Sequence, residues 1–160
     1  MKSILWKLTL KLKRKPFLIQ ISIFYFSSLF IVLSVLPLIF LTDLTLGENN
    51  DKPEFKLWFI VTIVVPIFET FLNQYLPFKL LQNWNLTKNK YGLYILISAI
   101  IFGLCHCYSL QYMIFAFSVG LVLGYTYYFY SKTPKIAFWS TTFIHGLRNL
   151  VVFMPLLFNK

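Results

Sequence analysis

Residues 56–78 read KLWFIVTIVVPIFETFLNQYLPF, an apolar run with a single acid, Glu69, inside it. A helix rises about 1.5 Å per residue, so this run can cross roughly 30 Å of hydrocarbon. Four further runs have the same character, near 17–42, 91–108, 110–130 and 136–157. The composition agrees: 58% of the 160 residues are hydrophobic, 20% aromatic and only 12% charged. Soluble proteins carry about 45–50% apolar and about 25% charged residues. A water-soluble domain of this size exposes a large share of its surface and has nowhere to hide so many apolar side chains. The expected fold is all-α, a polytopic membrane helix bundle of about five transmembrane helices. Residues 1–16 are expected to form a basic cytoplasmic or interfacial segment, and 17–160 a single transmembrane domain.

The net charge of +10 would suggest nucleic acid if the charges shared one face. They lie between the apolar runs instead, and no nucleic-acid partner is expected. Lys2, Lys7, Lys11, Lys13, Arg14 and Lys15 precede the first run, Lys79, Lys88 and Lys90 follow the second, and Lys132 and Lys135 separate the last two. These are eleven of the fifteen basic residues, and the positive-inside rule makes them cytoplasmic. The opposite loop, 43–55, holds Asp43, Glu48, Asp51 and Glu54. The amino terminus is therefore expected inside and the carboxyl terminus outside, in what reads as a bacterial cytoplasmic membrane. Basic residues beside apolar runs also suit contacts with anionic lipid.

Residues 2–15 read equally as a helix lying on the membrane surface or as a solvated topogenic tail. Trp6, Trp58, Trp84 and Trp139 fall at span ends or in flanking segments, as an aromatic belt requires. The first run is too long for a cleaved signal peptide, and no Ala precedes Ala99 to form an A-x-A site. The two cysteines, Cys105 and Cys107, give no disulfide framework and read as packing residues.

Glu69, His106 and His145 are the ionisable groups that stand out inside the runs. An acid at mid-membrane costs about 2.5–3.5 kcal/mol on insertion scales, so such a group is usually functional or internally paired. Asn149 follows His145 by four residues and shares its helix face. Counted from the cytoplasmic edge, Glu69 lies roughly 13 Å deep, His145 roughly 14 Å and His106 roughly 22 Å. Those depths allow convergence. Taken singly, each histidine reads as a core side chain bonded to a backbone carbonyl.

Three short motifs carry a family resemblance. They are Glu69-Thr70 with Gln74, Phe102 with His106, and His145-Gly146-Leu147-Arg148-Asn149. In order and spacing they resemble the E-E-x-x-x-R, F-x-x-x-H and H-x-x-x-N motifs of the CAAX protease and bacteriocin-processing family, also called the Abi family. The resemblance covers about 57–157. It implies an intramembrane endopeptidase in which Glu69 activates water, His106 assists, and His145 and Asn149 stabilise the oxyanion. A carboxylate in low dielectric is a competent base near neutral pH, and imidazole and carboxamide donors can meet developing negative charge. The substrate class implied is a membrane peptide or a lipid-modified protein.

Thr70 and Gln74 depart from the motif. The family's Glu–Arg pair is replaced by two neutral residues four apart, which suits a hydrogen-bonded pair on one helix face. Losing both charges together strands neither. Arg148 is read as lining the site, pairing with Glu69 or snorkelling outward. Gly120 and Gly124 form G-x-x-x-G, read as close helix packing. Pro66 should free the carbonyl of Thr62 and bend the second run just before Glu69.

No cofactor is expected. A zinc ion held by Glu69, His106 and His145 is the metal alternative. Two other functions stay open: a catalytically inactive member serving lipoprotein processing or peptide immunity, and a b-type haem protein with His106 and His145 as axial ligands.

The charge pattern predicts the outcome of single-cysteine labelling in a background lacking Cys105 and Cys107. An impermeant reagent should label position 50 in intact cells and leave position 88 unlabelled. The reverse pattern would overturn the orientation.

Overall fold

The computed structural model describes residues 4–40, 55–82 and 91–158. The acidic loop, Lys88, Lys90, Trp84 and the side chain of Trp6 lie outside the residues so described. All of the described secondary structure is helical. Helix α1 spans Ile4–Lys13 and α2 spans Phe17–Phe40. A continuous helical rod over 55–81 forms α3. It is followed by α4 (Tyr91–Leu104), α5 (Leu110–Tyr130) and α6 (Pro134–Phe158). A helix thus stands at each of the five expected apolar runs. Among the described residues, Leu57–Leu81 and Leu110–Tyr130 have the length and composition to cross a membrane, while Phe17–Ile31 and Tyr91–Leu104 are shorter apolar stretches. The protein is an all-α membrane helix bundle.

Helix α5 occupies the centre. It buries Phe115, Ala116, Val119 and Leu123 against Ile21 and Phe24 of α2, Phe102 of α4 and Ile144 of α6. Its contact with α4 is close, because glycines remove the side chains that would hold the helices apart. A Cβ on Gly120 would lie 2.9 Å from Ala99 Cα, and one on Gly124 would lie 3.3 Å from Ser98 Oγ. The G-x-x-x-G stripe is therefore a packing seam between antiparallel neighbours.

Helix α1 docks on this core. Thr9 Oγ1 and Tyr125 Oη lie 2.7 Å apart, and the Lys13 ammonium sits 5.3 Å from the centre of the Phe129 ring. Partial burial, and then the charge of Lys132, hold the Lys13 ammonium below the usual lysine value. The basic segments around 13–15 and 132–135 therefore share one end of the bundle.

Helix α4 stops at Leu104, four residues before the predicted end of its run. The chain tightens there, with His106 N–H donating to Gly103 O at 3.0 Å. Ser109 then caps α5 by accepting the N–H of Tyr112 at 3.1 Å. His106 consequently belongs to a turn, and Cys105 and Cys107 are exposed rather than packed.

Helix α3 is not a plain α-helix. Its turns at Ile60–Val64 and Phe71–Tyr75 are π-helical, with Val65 N–H donating to Ile60 O and Leu76 N–H to Phe71 O. Prolines follow both turns. In this widened register Pro66 would donate to Val61 O, five residues back, but it has no N–H. Asn149 Nδ2 donates to that carbonyl instead, at 3.0 Å. Thr62 O, the carbonyl expected to be freed, faces Gly146, where a Cβ would lie only 2.5 Å away. Near Pro77, Asn73 O accepts Ser98 Oγ at 2.6 Å.

Gly146 is therefore held to glycine by a backbone carbonyl that cannot move without breaking α3. Gly146→Ala should lower stability by about 1–3 kcal/mol in thermal unfolding in detergent. Gly92→Ala, where nothing lies within 4 Å, should cause no loss.

Candidate active site

The segment Val65–Thr70, between the two π turns, carries Glu69. Such turns change the angular spacing of side chains and are common at functional sites. Helices α3 and α6 run antiparallel, with Asn149 tied to Val61, Gly146 on Thr62 and Pro66, and Tyr75 against Phe138. That register brings His145 level with Glu69. The turn after α4 brings His106 to the same place.

The two imidazoles take different oxygens of one carboxylate. His106 Nε2 lies 3.5 Å from Glu69 Oε1, and His145 Nε2 lies 3.2 Å from Glu69 Oε2. Both are ion-pair distances. Neither nitrogen of His145 makes an aligned hydrogen bond among the described residues. Glu69 keeps 24% side-chain exposure and His106 14%, whereas His145 keeps 1%. The cluster therefore opens past Glu69 and His106 and is closed at His145.

His106 is oriented from behind. Its Nδ1 lies 2.7 Å from Phe102 O. A carbonyl only accepts, so Nδ1 bears the proton and Nε2 is left to face Glu69. Phe102 is a wedge between the imidazoles, its ring 4.5 Å from His106 and 5.5 Å from His145. Tyr112, one turn into α5, lies 5.7 Å from the His106 ring.

Asn149 stands one helical turn beyond His145. Its Oδ1 accepts Arg148 Nη2 at 2.6 Å while its Nδ2 holds Val61 O. Arg148 does not pair with Glu69 within ion-pair distance and does not snorkel. It is 8% exposed, and its guanidinium lies 5.9 Å from the Phe115 ring centre.

Thr70 and Gln74 are both fully buried on α3. The hydrogen bond expected between them is not formed: Thr70 Oγ1 and both polar atoms of the Gln74 side chain have no partner among the described residues. The expectation assumed an α-helical turn, and this turn is π-helical. The backbone of Gln74 is engaged, its carbonyl accepting Tyr94 Oη at 3.0 Å.

The residues read from sequence as a site thus meet, with Glu69, His106 and His145 in mutual reach and Asn149 and Arg148 beside them. Sequence reasoning missed Tyr112, the Val61 carbonyl and Asn73. Asn73 Oδ1 accepts the Cys105 thiol at 3.6 Å and helps hold the His106 turn. The Ser109 cap signal was present in the sequence and would have pointed to that turn.

Among the described residues no three His, Cys, Asp or Glu side chains are arranged to hold a metal ion. The imidazoles approach separate oxygens of Glu69. Two axial histidines need a porphyrin plane between them, and here a carboxylate stands between their Nε2 atoms.

Gln74 and Asn149 should behave oppositely in chemical unfolding. Gln74→Met removes polar atoms that have no partner and should be neutral or stabilising. Asn149→Ala strands a carbonyl and a guanidinium N–H, and should cost about 1–3 kcal/mol.

Residues 52–151 match a protein family described as Rce1-like, type II CAAX prenyl endopeptidase. No curated protein and no solved structure matches the chain.

Proposed function

The chain belongs to the Rce1-like family of type II CAAX prenyl endopeptidases, and from that membership we propose that it is itself an active intramembrane endopeptidase. The observation that carries this reading is the placement of Glu69 between the imidazole of His106, in the turn after α4, and that of His145 on α6, at 3.5 and 3.2 Å. A base that must take and return a proton is served by neighbours that exchange protons themselves.

In the proposed reaction Glu69 removes a proton from a water as the water oxygen bonds to the scissile carbonyl carbon. The carbonyl π electrons move to oxygen, giving a tetrahedral oxyanion. Collapse of that intermediate breaks the C–N bond, and the proton held by Glu69 returns to the leaving amine. The products are a carboxylic acid and an amine, which leave as carboxylate and ammonium once the acid proton has passed to the amine. His106, with its proton on Nδ1, accepts through Nε2 and relays protons to and from Glu69. His145 and Asn149 stabilise the oxyanion by family resemblance. No metal enters this scheme.

The proposed substrate is a membrane peptide or a lipid-modified protein, reaching the cluster past Glu69 and His106. The proposed setting is a bacterial cytoplasmic membrane with the amino terminus inside, and anionic lipid is a proposed partner of the basic end. A catalytically silent accessory of lipoprotein processing or peptide immunity is the second reading. The neutral, unpartnered Thr70 and Gln74 favour it.

Glu69→Gln keeps the shape and removes the base. At matched expression in proteoliposomes it should lower peptide hydrolysis by about 10²–10⁴-fold, and a chelator should leave the wild-type rate unchanged. Full activity in Glu69→Gln would transfer the assignment to the accessory reading.

A further inference from the structure

Arg148 is the least expected charge in the molecule. Its side chain is 8% exposed, in a bundle where burying an unpaired cation is costly. Glu69 is the only Asp or Glu among the described residues, and its oxygens are turned to the two imidazoles. Arg148 therefore has no carboxylate within ion-pair distance among those residues. Its Nη2 donates to Asn149 Oδ1 at 2.6 Å. Its Nε is buried without a partner among the described residues.

The place of this cation is defined on every side. It lies one turn beyond His145 on α6, and the Phe115 ring of α5 backs it at 5.9 Å. Phe115 neighbours Tyr112, and Tyr112 neighbours His106. Glu69 and His145 both lie within electrostatic range of its charge. A guanidinium so placed, dry and held in advance, is the strongest anion-stabilising group near the cluster.

Asn149 is largely committed elsewhere. Its carbonyl oxygen holds Arg148, and one N–H of its Nδ2 closes the gap that Pro66 leaves at Val61 O.

We propose that Arg148 is a catalytic residue that meets the oxyanion together with His145, and that Asn149 is a positioning residue that aims its guanidinium. The inference rests on the peptidase reading above. As water adds to the scissile carbonyl, the electron pair displaced onto oxygen is met by guanidinium N–H groups. No proton leaves the arginine. When the C–N bond breaks, the electron pair returns to the carbonyl and the contact relaxes.

The test uses the full chain in proteoliposomes and two probes. One is a farnesylated, fluorophore-labelled peptide of the CAAX type. The other is its phosphinate analogue, a stable tetrahedral anion in place of the scissile amide. Arg148→Gln should lower kcat by about 10²–10³-fold with little change in KM. It should also abolish most of the preference for phosphinate over the parent peptide. Arg148→Lys keeps the charge, tolerates failure of the glutamine variant to fold, and should recover part of both. Asn149→Ala should lower phosphinate affinity in the wild type and add nothing in Arg148→Gln, as a double-mutant cycle reads it.

An intact kcat in a folded Arg148→Gln protein overturns the proposal. So does a loss confined to KM and seen only with a free carboxyl terminus and not with its amide, which would make Arg148 a substrate-carboxylate receptor. If the wild type hydrolyses neither peptide, the peptidase reading fails on this probe while phosphinate binding still decides the role of Arg148. A phosphinate bound no more tightly than its parent by the wild type overturns the proposal directly.

Discussion

Backbone carbonyls without donors are the constraint on which this bundle depends. In hydrocarbon no water reaches such a group, and each one left alone costs free energy comparable to several lost contacts. Helix α3 carries Pro66 and Pro77, neither of which has an N–H to give. The chain answers with two π turns and with polar side chains from neighbouring helices. Asn149 of α6 reaches Val61 O, and Ser98 of α4 reaches Asn73 O. Each bond fixes a helix against α3 in one register. The first sets His145 level with Glu69, and the second sets the level of α4, whose end carries His106.

Close packing then turns register into position. Gly146 lets α6 approach until the Thr62 carbonyl touches its backbone, and Gly120 lets α5 approach Ala99 and Phe102. Phe102 is thereby pressed between the imidazoles. The same ring residue offers its carbonyl to His106 Nδ1. One residue of α4 thus sets both the place and the tautomer of the histidine that follows it by a turn.

The charges in the centre form a small closed set among the described residues: one carboxylate, one guanidinium and two imidazoles. Pairing carboxylate with guanidinium would neutralise both and leave little chemistry to do. Here Glu69 is held by imidazoles, which exchange protons, and Arg148 by a carboxamide, which does not. The arrangement puts groups able to exchange a proton on one side and a fixed positive charge on the other. Thr70 and Gln74, buried and neutral, leave the field of this set unopposed from α3.

By itself the sequence determined the helical class, the apolar runs and the identity of the polar residues within them. Hydropathy and length decide these, and both are local properties of the chain. Glu69, His106 and His145 were legible because ionisable groups within apolar runs are rare enough to stand out, and Asn149 because it follows His145 by four residues. The packing role of Gly120 and Gly124 was legible too, since spacing alone puts them on one face. Only the tertiary structure decided what each polar atom touches. The π register moved the vacancy left by Pro66 from Thr62 to Val61, and with it the partner of Asn149. The break of α4 at Leu104 put His106 and both cysteines in a turn. The bond expected between Thr70 and Gln74 was absent, and Arg148 was buried instead of paired or snorkelled. Each outcome depends on which neighbour lies across a helix interface, and no periodicity within one helix carries that information.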